Sequence, residues 1–544
     1  MTALPESTAP DTANPKRTND FRLISCLLLR TRLDHDACSH KYPGNGTLEE
    51  PVIVDFLQND RQDAMSFSKG RKWTIALVQA LSFFAVTFGS SVYASGIPEI
   101  MQRFHVSEEV AILGLSLYVL GFALGPILWA PMSEVYGRKL TFVVSYTIYI
   151  AFTVAAPCSP NITTLLVLRF FAGAFGASAQ TNPGGMIADM FTTEERGPVM
   201  AVFAACPFLG PAFGPIVGGF VAETVGWRWT LGVNAILSGV FWIGALLLTS
   251  ETYAPFILRS RAKALSRATG SVHVSQLDVG KPPITLSTAL SIAFTRPWIF
   301  LFREPIVLLT GVYTSIIYAT LYLLFAAIPI VFEVTRHWSQ GIGGLPFVGV
   351  AIGVCLAVGA SGVDNKIYLR MTKVAAAAGR AVEPEARLHN AMIGSVILPI
   401  GLFLFAWTTF PEISWIAPVI GATIFSAGLV MVFISLISYL VDSYTIYSAS
   451  ALAANTVMRS FFATAFPLFT TQMYTDLGDQ WASSIPAFLV VGCLPFPFLF
   501  FKYGSRIRSK CKYAAEAAEI WEMIRRRRAA VSGAESIGPN KEAA

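Results

Sequence analysis

Residues 109–130 read EVAILGLSLYVLGFALGPILWA, and this stretch decides the fold class. A helix needs about 20 apolar residues to cross the hydrocarbon core of a bilayer. No charged side chain occurs between Glu109 and Glu134, and eleven comparable apolar blocks follow or precede this one. Only 14% of the residues are charged, whereas about 25% is usual in soluble proteins. The sequence therefore predicts an all-α membrane protein with twelve transmembrane helices.

The blocks fall into two groups of six. The first bundle covers residues 73–249, with spans near 73–95, 109–130, 140–157, 163–188, 199–221 and 229–249. The second covers residues 304–503, with spans near 304–330, 343–362, 391–408, 414–440, 451–474 and 485–501. Residues 250–303 are too polar to enter lipid and are predicted to form a central cytoplasmic loop. Residues 1–72 are predicted to be a disordered tail, and residues 504–544 a basic one.

A glycine spacing links the two groups. Gly349 and Gly353 repeat the spacing of Gly121 and Gly125. Two related halves would account for the repeat, so we expect two six-helix bundles related by pseudo-two-fold symmetry. Chance is the alternative, because glycine pairs four residues apart are common in membrane helices.

The basic residues indicate the orientation. Outside the spans, only Arg103, Arg228 and Arg336 lie in one set of alternate loops. Because cytoplasmic loops carry an excess of Lys and Arg, both termini are predicted to be cytoplasmic. The net charge of +6 then reflects orientation in the membrane, and no nucleic-acid partner is expected. The seven cysteines show no paired spacing, so no metal site is predicted. Asn161 begins a sequon in a very short outer loop, and we expect it to stay unglycosylated.

Residues 130–139 read APMSEVYGRK and place a carboxylate and two cations around a glycine turn. Simple anchoring would explain Arg138 and Lys139 but not Glu134. The stretch resembles the inter-helix signature of the major facilitator superfamily, although its first, fifth and sixth residues depart from the usual pattern. The resemblance implies that Glu134 pairs with basic groups of the other half in the outward-facing state. Arg459 is the candidate partner.

Arg169 lies about two turns inside the predicted fourth span. A lone cation at that depth costs about 3 kcal/mol, so we expect it to face the interior and to have a carboxylate, phenol or substrate partner. The alternative is a structural arginine bonded to backbone carbonyls. The segment is similar to a span-4 motif of the same superfamily, in which this arginine is tied to proton transfer. Asp189, near the cytoplasmic side, is a candidate to work with Arg169 and Glu134, or it caps the helix.

Gly210, Gly214 and Gly218 form one smooth ridge along the predicted fifth span, beside Pro215 and Gly219. Close helix packing alone would explain such a ridge. The pattern also looks like the antiporter motif of the drug/proton antiporter branch, and further stretches are similar to fungal members of that branch. The resemblance implies a twelve-helix exporter that uses inward proton flow to expel a compound.

The candidate substrate contacts are aromatic and uncharged polar residues, because such faces suit apolar or planar cationic ligands. No carboxylate lies near the middle of any span, which leaves the proton-carrying group open. The candidates are Gln79, Tyr118, Gln180, Asn182, Asn234, Tyr313, Tyr318 and Tyr322.

The resemblance implies a proton-coupled efflux transporter in the plasma membrane, with the vacuolar membrane as the alternative. The expected cargo is a lipophilic or cationic small molecule, such as a drug, a fungicide or a fungal secondary metabolite. We expect a monomer that is driven by the proton gradient and needs no cofactor. Proton-coupled nutrient uptake and a non-transporting membrane sensor are the alternatives. No HExxH, GxSxG or P-loop motif occurs, so an enzyme is not predicted.

Overall fold

The computed structural model describes residues 40, 42–47, 49–57, 60–192, 195–280, 285–377, 382–517 and 519. The disorder predicted for residues 1–39 and the basic character predicted beyond residue 519 lie outside these described residues. The chain divides into two units. The smaller comprises residues 1–63 with 253–282, and the larger comprises residues 64–252 with 283–544.

The larger unit is helical throughout its described secondary structure. Its helices are α1 Lys69–Ser91, α2 Ile97–Phe104, α3 Glu108–Tyr136, α4 Arg138–Ala155, α5 Ile162–Gly176, α6 Ser178–Met190, α7 Arg196–Val225, α8 Trp227–Leu248, α10 Leu286–Arg303, α11 Pro305–Pro329, α12 Gln340–Gly343, α13 Phe347–Ala377, α14 His389–Trp407, α15 Ile416–Tyr444, α16 Ser448–Cys493 and α17 Pro495–Lys510. Helix α9, Ala254–Thr269, belongs to the smaller unit.

Eleven helical segments of the described chain are long and apolar enough to cross a membrane. Ten of them coincide with ten of the twelve predicted spans. The last two predicted spans, 451–474 and 485–501, fall in one segment, Ser448–Lys510. Gly478 interrupts that segment with φ 75° and ψ 162°. The difference between eleven and twelve therefore depends on this one glycine. The multi-pass helical class is confirmed.

Glycines with positive φ make the shortest connections between helices. Gly137 (φ 90°, ψ 157°) separates α3 from α4, and Gly226 (φ 90°, ψ 167°) separates α7 from α8. Glycine has no Cβ and adopts this backbone region without strain, so one residue can end a helix and begin the next. Asn161 starts α5, where its Oδ1 accepts the backbone N–H of Thr164 at 2.8 Å.

The repeated glycine pairs lie at close helix contacts in both halves, residues 64–252 and 283–519. A Cβ on Gly121 of α3 would lie 2.6 Å from the backbone nitrogen of Ala174. A Cβ on Gly349 of α13 would lie 2.9 Å from the carbonyl oxygen of Val419 in α15. Both contacts bring helix backbones together where only glycine fits.

The smaller unit has its own small core. Strand β1, Val52–Val54, pairs in parallel with β2, His273–Ser275. Its apolar core is Val54, Leu258, Ala262 and Leu265. Two segments predicted as a tail and a loop are thus partly ordered. The sequence did not indicate this order, because the strand pairing joins residues more than 200 positions apart. The contact between Asp60 and Arg261 spans a similar distance along the chain.

An ion pair stabilises this unit. Arg261 Nη1 lies 2.6 Å from Asp60 Oδ2, and both side chains are buried. Burial alone would raise the pKa of Asp60. The hydrogen bonds from Arg261 and from the backbone N–H groups of Gln62 and Leu57 outweigh it, so the pKa of Asp60 is lowered.

Candidate functional site

A small central cavity lies between helices of the two halves of the larger unit. In this conformation the cavity has room for about one water molecule, so it is far smaller than an occupied small-molecule site. Side chains from α1, α3, α11 and α16 line it, and most are aromatic or hydroxylated. The lining residues are Thr87, Ser90, Tyr118, Val119, Phe122, Tyr318, Tyr322, Arg459 and Ser460.

Arg459 is the one charged residue of this lining. Its exposed fraction is 5%. Its guanidinium carbon lies 5.0 Å from the ring centroid of Tyr318 and 4.9 Å from that of Phe433. Among the described residues it has no hydrogen bond or carboxylate partner, and its Nε is buried without an acceptor. The predicted pairing with Glu134 is absent in this structure, because Glu134 is exposed at the end of α3.

Arg169 is also buried, with 2% exposed, but it is fully engaged. Its Nε donates to Gly114 O at 3.0 Å, its Nη1 to Gly89 O at 2.7 Å and its Nη2 to Ser90 O at 3.2 Å. The guanidinium carbon also lies 4.3 Å from the ring centroid of Tyr118. This is the geometry of the structural alternative, in which backbone carbonyls satisfy the cation and fix α1 and α3 against α5.

Three of the eight predicted substrate contacts line the cavity, namely Tyr118, Tyr318 and Tyr322. Which face of each helix points into the cavity depends on how the helices pack, so the sequence alone could not distinguish these three residues from the other candidates. The other five lie away from this lining. Gln79 donates a hydrogen bond to Thr249, and Asn234 donates one to Tyr149. Tyr313 packs against Phe496. The side chains of Gln180 and Asn182 contain buried polar atoms that have no hydrogen-bond partner among the described residues.

Sequence reasoning missed the hydroxyl groups of the cavity. Ser90 Oγ lies 3.1 Å from Tyr322 Oη and joins the two halves. Ser460 follows Arg459 directly and also lines the cavity. Small polar residues inside otherwise apolar helices were the available signal.

The candidates that the sequence predicts to lie on the cytoplasmic side form a cluster around the turn at Gly137. Arg138 Nε lies 3.4 Å from Asp189 Oδ2, and its Nη1 donates to Ser133 Oγ at 2.9 Å. Glu251, which the sequence analysis did not select, accepts the backbone N–H of Arg138 at 2.9 Å. A carboxylate at this position also complements the positive end of α4. Glu134 itself has no hydrogen bond or ion pair within the described part of the chain.

A second charged cluster occurs in the C-terminal half and was also missed. Arg387 Nε donates to Asp442 Oδ2 at 2.8 Å, and Tyr368 Oη donates to the same oxygen at 3.1 Å. Arg387 Nη1 donates to Asn365 at 3.1 Å. Like Arg138 and Asp189, this pair joins the start of one helical segment to the end of another.

The predicted glycine ridge of α7 packs on the backbone of α1. A Cβ on Gly210 would lie 2.7 Å from Phe88 N, one on Gly214 2.8 Å from Val92 N, and one on Gly218 3.0 Å from Val92 O. Real Cβ atoms essentially never come closer than 3.0 Å. Only glycine therefore allows this approach at Gly210 and Gly214.

The neighbouring residues of the ridge face the other half of the chain. A Cβ on Gly219 would lie 2.6 Å from Gln340 O, and a Cβ on Gly344 would lie 3.1 Å from the carbonyl carbon of Pro215. Helix α7 thus contacts α1 with one face and the C-terminal half with another.

Hydrogen bonds between the described residues of the two halves occur at the central cavity and at one end. At that end Glu223 Oε2 accepts Gly341 N at 2.6 Å, and Glu108 Oε1 accepts Thr471 Oγ1 at 2.7 Å. Gln340 Nε2 donates to Ser95 O. The orientation predicted from the basic residues would place this end outside the cell. The two halves are therefore hydrogen-bonded to each other at that end.

A helical, multi-pass unit with a cavity between two halves is the arrangement expected of a membrane transporter. The family model described as Major Facilitator Superfamily matches residues 80–467. The chain belongs to the major facilitator superfamily, and the predicted membership is confirmed.

Several fungal proteins are similar over almost the full length. The chain is 49% identical to "Efflux pump FUB11" of Gibberella moniliformis, over 98% of this chain and 90% of that protein. It is 50% identical to "Efflux pump FUBT" of Fusarium oxysporum, over 95% and 87%. It is 51% identical to "Major facilitator superfamily multidrug transporter mdrA" of Aspergillus fumigatus, over 89% and 79%.

Proposed function

We propose that this chain is a proton-coupled efflux transporter that exports a lipophilic small molecule across the plasma membrane as a monomer. The observation that carries the proposal is the packing of the Gly210–Gly214–Gly218 ridge on α1. The motif formed by these residues resembles that of drug/proton antiporters, and its close approach supports a sealed path on one side of the cavity. The names of the similar fungal proteins support export over uptake.

The proposed architecture has twelve spans in two six-helix bundles related by pseudo-two-fold symmetry, with both termini cytoplasmic. The backbone at Gly478 supports a break between two spans. Tyr474 Oη and Ser483 Oγ are 2.6 Å apart, whereas nine residues of continuous helix would rise about 13 Å. The equivalent roles of Gly121 and Gly349 support the symmetry.

Asp189 is the proposed proton-carrying carboxylate. It is held between Arg138 and Thr252, whose Oγ1 lies 3.3 Å from Asp189 Oδ2. A carboxylate that binds and releases protons next to a cation can link its protonation state to helix movement. Glu134 is exposed and remains a candidate for gating only.

The experiment uses the purified full-length protein in liposomes with a panel of labelled lipophilic compounds. An imposed pH gradient should drive a substrate against the direction of proton flow, and a protonophore should abolish the accumulation. Asp189→Asn should lose gradient-driven accumulation but keep exchange of labelled for unlabelled substrate. The control Asp476→Asn, at an exposed residue of α16, should behave like the parent protein. Movement of substrate together with protons would instead indicate uptake and refute the proposal.

A further inference from the structure

We propose that the central cavity binds the anionic group of an apolar organic acid at Arg459, so that the exported compound is an organic anion. The inference rests on the proposed transport function and specifies its substrate class. It narrows the lipophilic or cationic cargo expected from the sequence to a lipophilic anion.

The first argument is the unpaired charge. Arg459 is 95% buried, which follows from its exposed fraction of 5%. The rings of Tyr318 and Phe433 stabilise the charge partly, but they accept none of its N–H groups in the usual hydrogen-bond geometry. A buried cation without an anion is costly, and a carboxylate that binds it would remove that cost.

The second argument is the contrast with Arg169. That guanidinium donates to three backbone carbonyls and needs no further partner. It nevertheless adds a second positive charge next to Tyr118, which lines the cavity. With two buried cations and no carboxylate in the described lining, the cavity attracts anions and repels cations.

The third argument is the remainder of the lining. Tyr118, Phe122, Tyr318 and Tyr322 present aromatic faces, while Ser90 and Ser460 present hydroxyl groups. Such a lining suits the charged end of an apolar molecule, and because the cavity has room for about one water in this conformation, the two halves must separate to admit the apolar body. Ser460 also lines the cavity, so its hydroxyl is available to donate a hydrogen bond to a bound anion.

The test measures binding of three ligands that share one ring system and differ in charge. These are 2-naphthoate, 2-naphthamide and 2-naphthylmethylammonium, titrated calorimetrically into the full-length protein in lipid nanodiscs at pH 7.5. We expect naphthoate to bind most tightly and the ammonium compound most weakly. Benzoate and decanoate extend the acid series to a smaller and to an aliphatic body.

Substitutions assign the effect to the cavity. Arg459→Gln should weaken naphthoate binding about 10- to 100-fold, the range expected for one charge-assisted hydrogen bond, and leave naphthamide binding unchanged. Arg459→Lys should retain part of the affinity. Arg103→Gln, which removes an exposed positive charge in α2, is the matched control and should change neither.

Clear results would overturn the inference. It fails if the ammonium compound binds as tightly as naphthoate, if none of the acids binds, or if Arg459→Gln leaves the acid affinity intact. Equal loss of naphthoate and naphthamide binding in a folded Arg459→Gln protein would show a structural or gating role and also overturn it. If Arg459→Gln does not fold, the ranking of the three ligands on the parent protein decides.

The same protein in liposomes separates this inference from the proposed function. Arg459-dependent binding of acids without proton-driven export would leave the anion site standing and refute efflux. Proton-driven export of neutral or cationic compounds without acid binding would support efflux and refute the anion site.

Discussion

A single methyl group at Gly210 tests the contact between α7 and α1. In Gly210→Ala the new Cβ would collide with Thr87 Oγ1, whose side chain would have to move, and it would lie 2.7 Å from Phe88 N and 2.8 Å from Phe84 O, which are both main-chain atoms of α1. An ordinary contact begins at 3.4 Å, so the helices must separate by 3.4 − 2.7 = 0.7 Å. Overpacking of this kind costs about 1–3 kcal/mol.

Alanine also gains about 1 kcal/mol over glycine in a helix interior, which would mask part of the cost. Gly239→Ala in α8 is the matched control, because a Cβ there meets no atom within 4 Å. We therefore expect the free energy of unfolding of Gly210→Ala to lie about 1–3 kcal/mol below that of Gly239→Ala. Unfolding by SDS in mixed micelles, followed by tryptophan fluorescence, measures the difference.

Transport should follow stability. Helix α1 carries Ser90, whose Oγ lies 3.1 Å from Tyr322 Oη at the cavity, so a displaced α1 should also lower substrate export. Equal stability of the two alanine variants would show that α1 and α7 do not pack this closely and would refute the reasoning. Normal export in a destabilised Gly210→Ala protein would separate packing from function.

Two further predictions concern other contacts. Glu223→Gln should weaken the hydrogen bond to Gly341 N, because charge-assisted hydrogen bonds are about twice as strong as neutral ones. Maleimide should then label Ser95→Cys several-fold faster in the protein that also carries Glu223→Gln than in the protein with Ser95→Cys alone. Equal labelling rates would exclude a role of Glu223 in closing this end. The pKa of Asp60 is lowered by its contacts, so its stabilising contribution is full above its unfolded pKa of about 3.9 and is lost as the pH falls through the lower folded pKa. An acid-active protease should therefore cut residues 253–280 of the parent protein faster at the lowest pH. The Asp60→Asn protein should be cut fast at every pH. A cleavage rate of the parent protein that does not change with pH would contradict the prediction.

The site shows where prediction from sequence reached its limit. Arg459 and Arg169 stand out in the sequence equally, since each is a lone cation in an apolar span. The structure separates them, because three carbonyl groups from two other helices satisfy Arg169 and none satisfies Arg459. Likewise, Tyr313 and Tyr318 lie five residues apart on α11, but only Tyr318 faces the cavity.

The sequence by itself determined the helical membrane class, ten of the spans and the family. These depend on local properties, namely the length of apolar runs and a few contiguous motifs, because a helix in lipid must satisfy its backbone hydrogen bonds within one segment. The tertiary structure alone decided which side chains meet. The cavity joins residues as distant as Ser90 and Tyr322, and strand β1 pairs with β2 more than 200 residues away. Such contacts arise from the faces on which helices pack, and local spacing does not encode which face meets which partner.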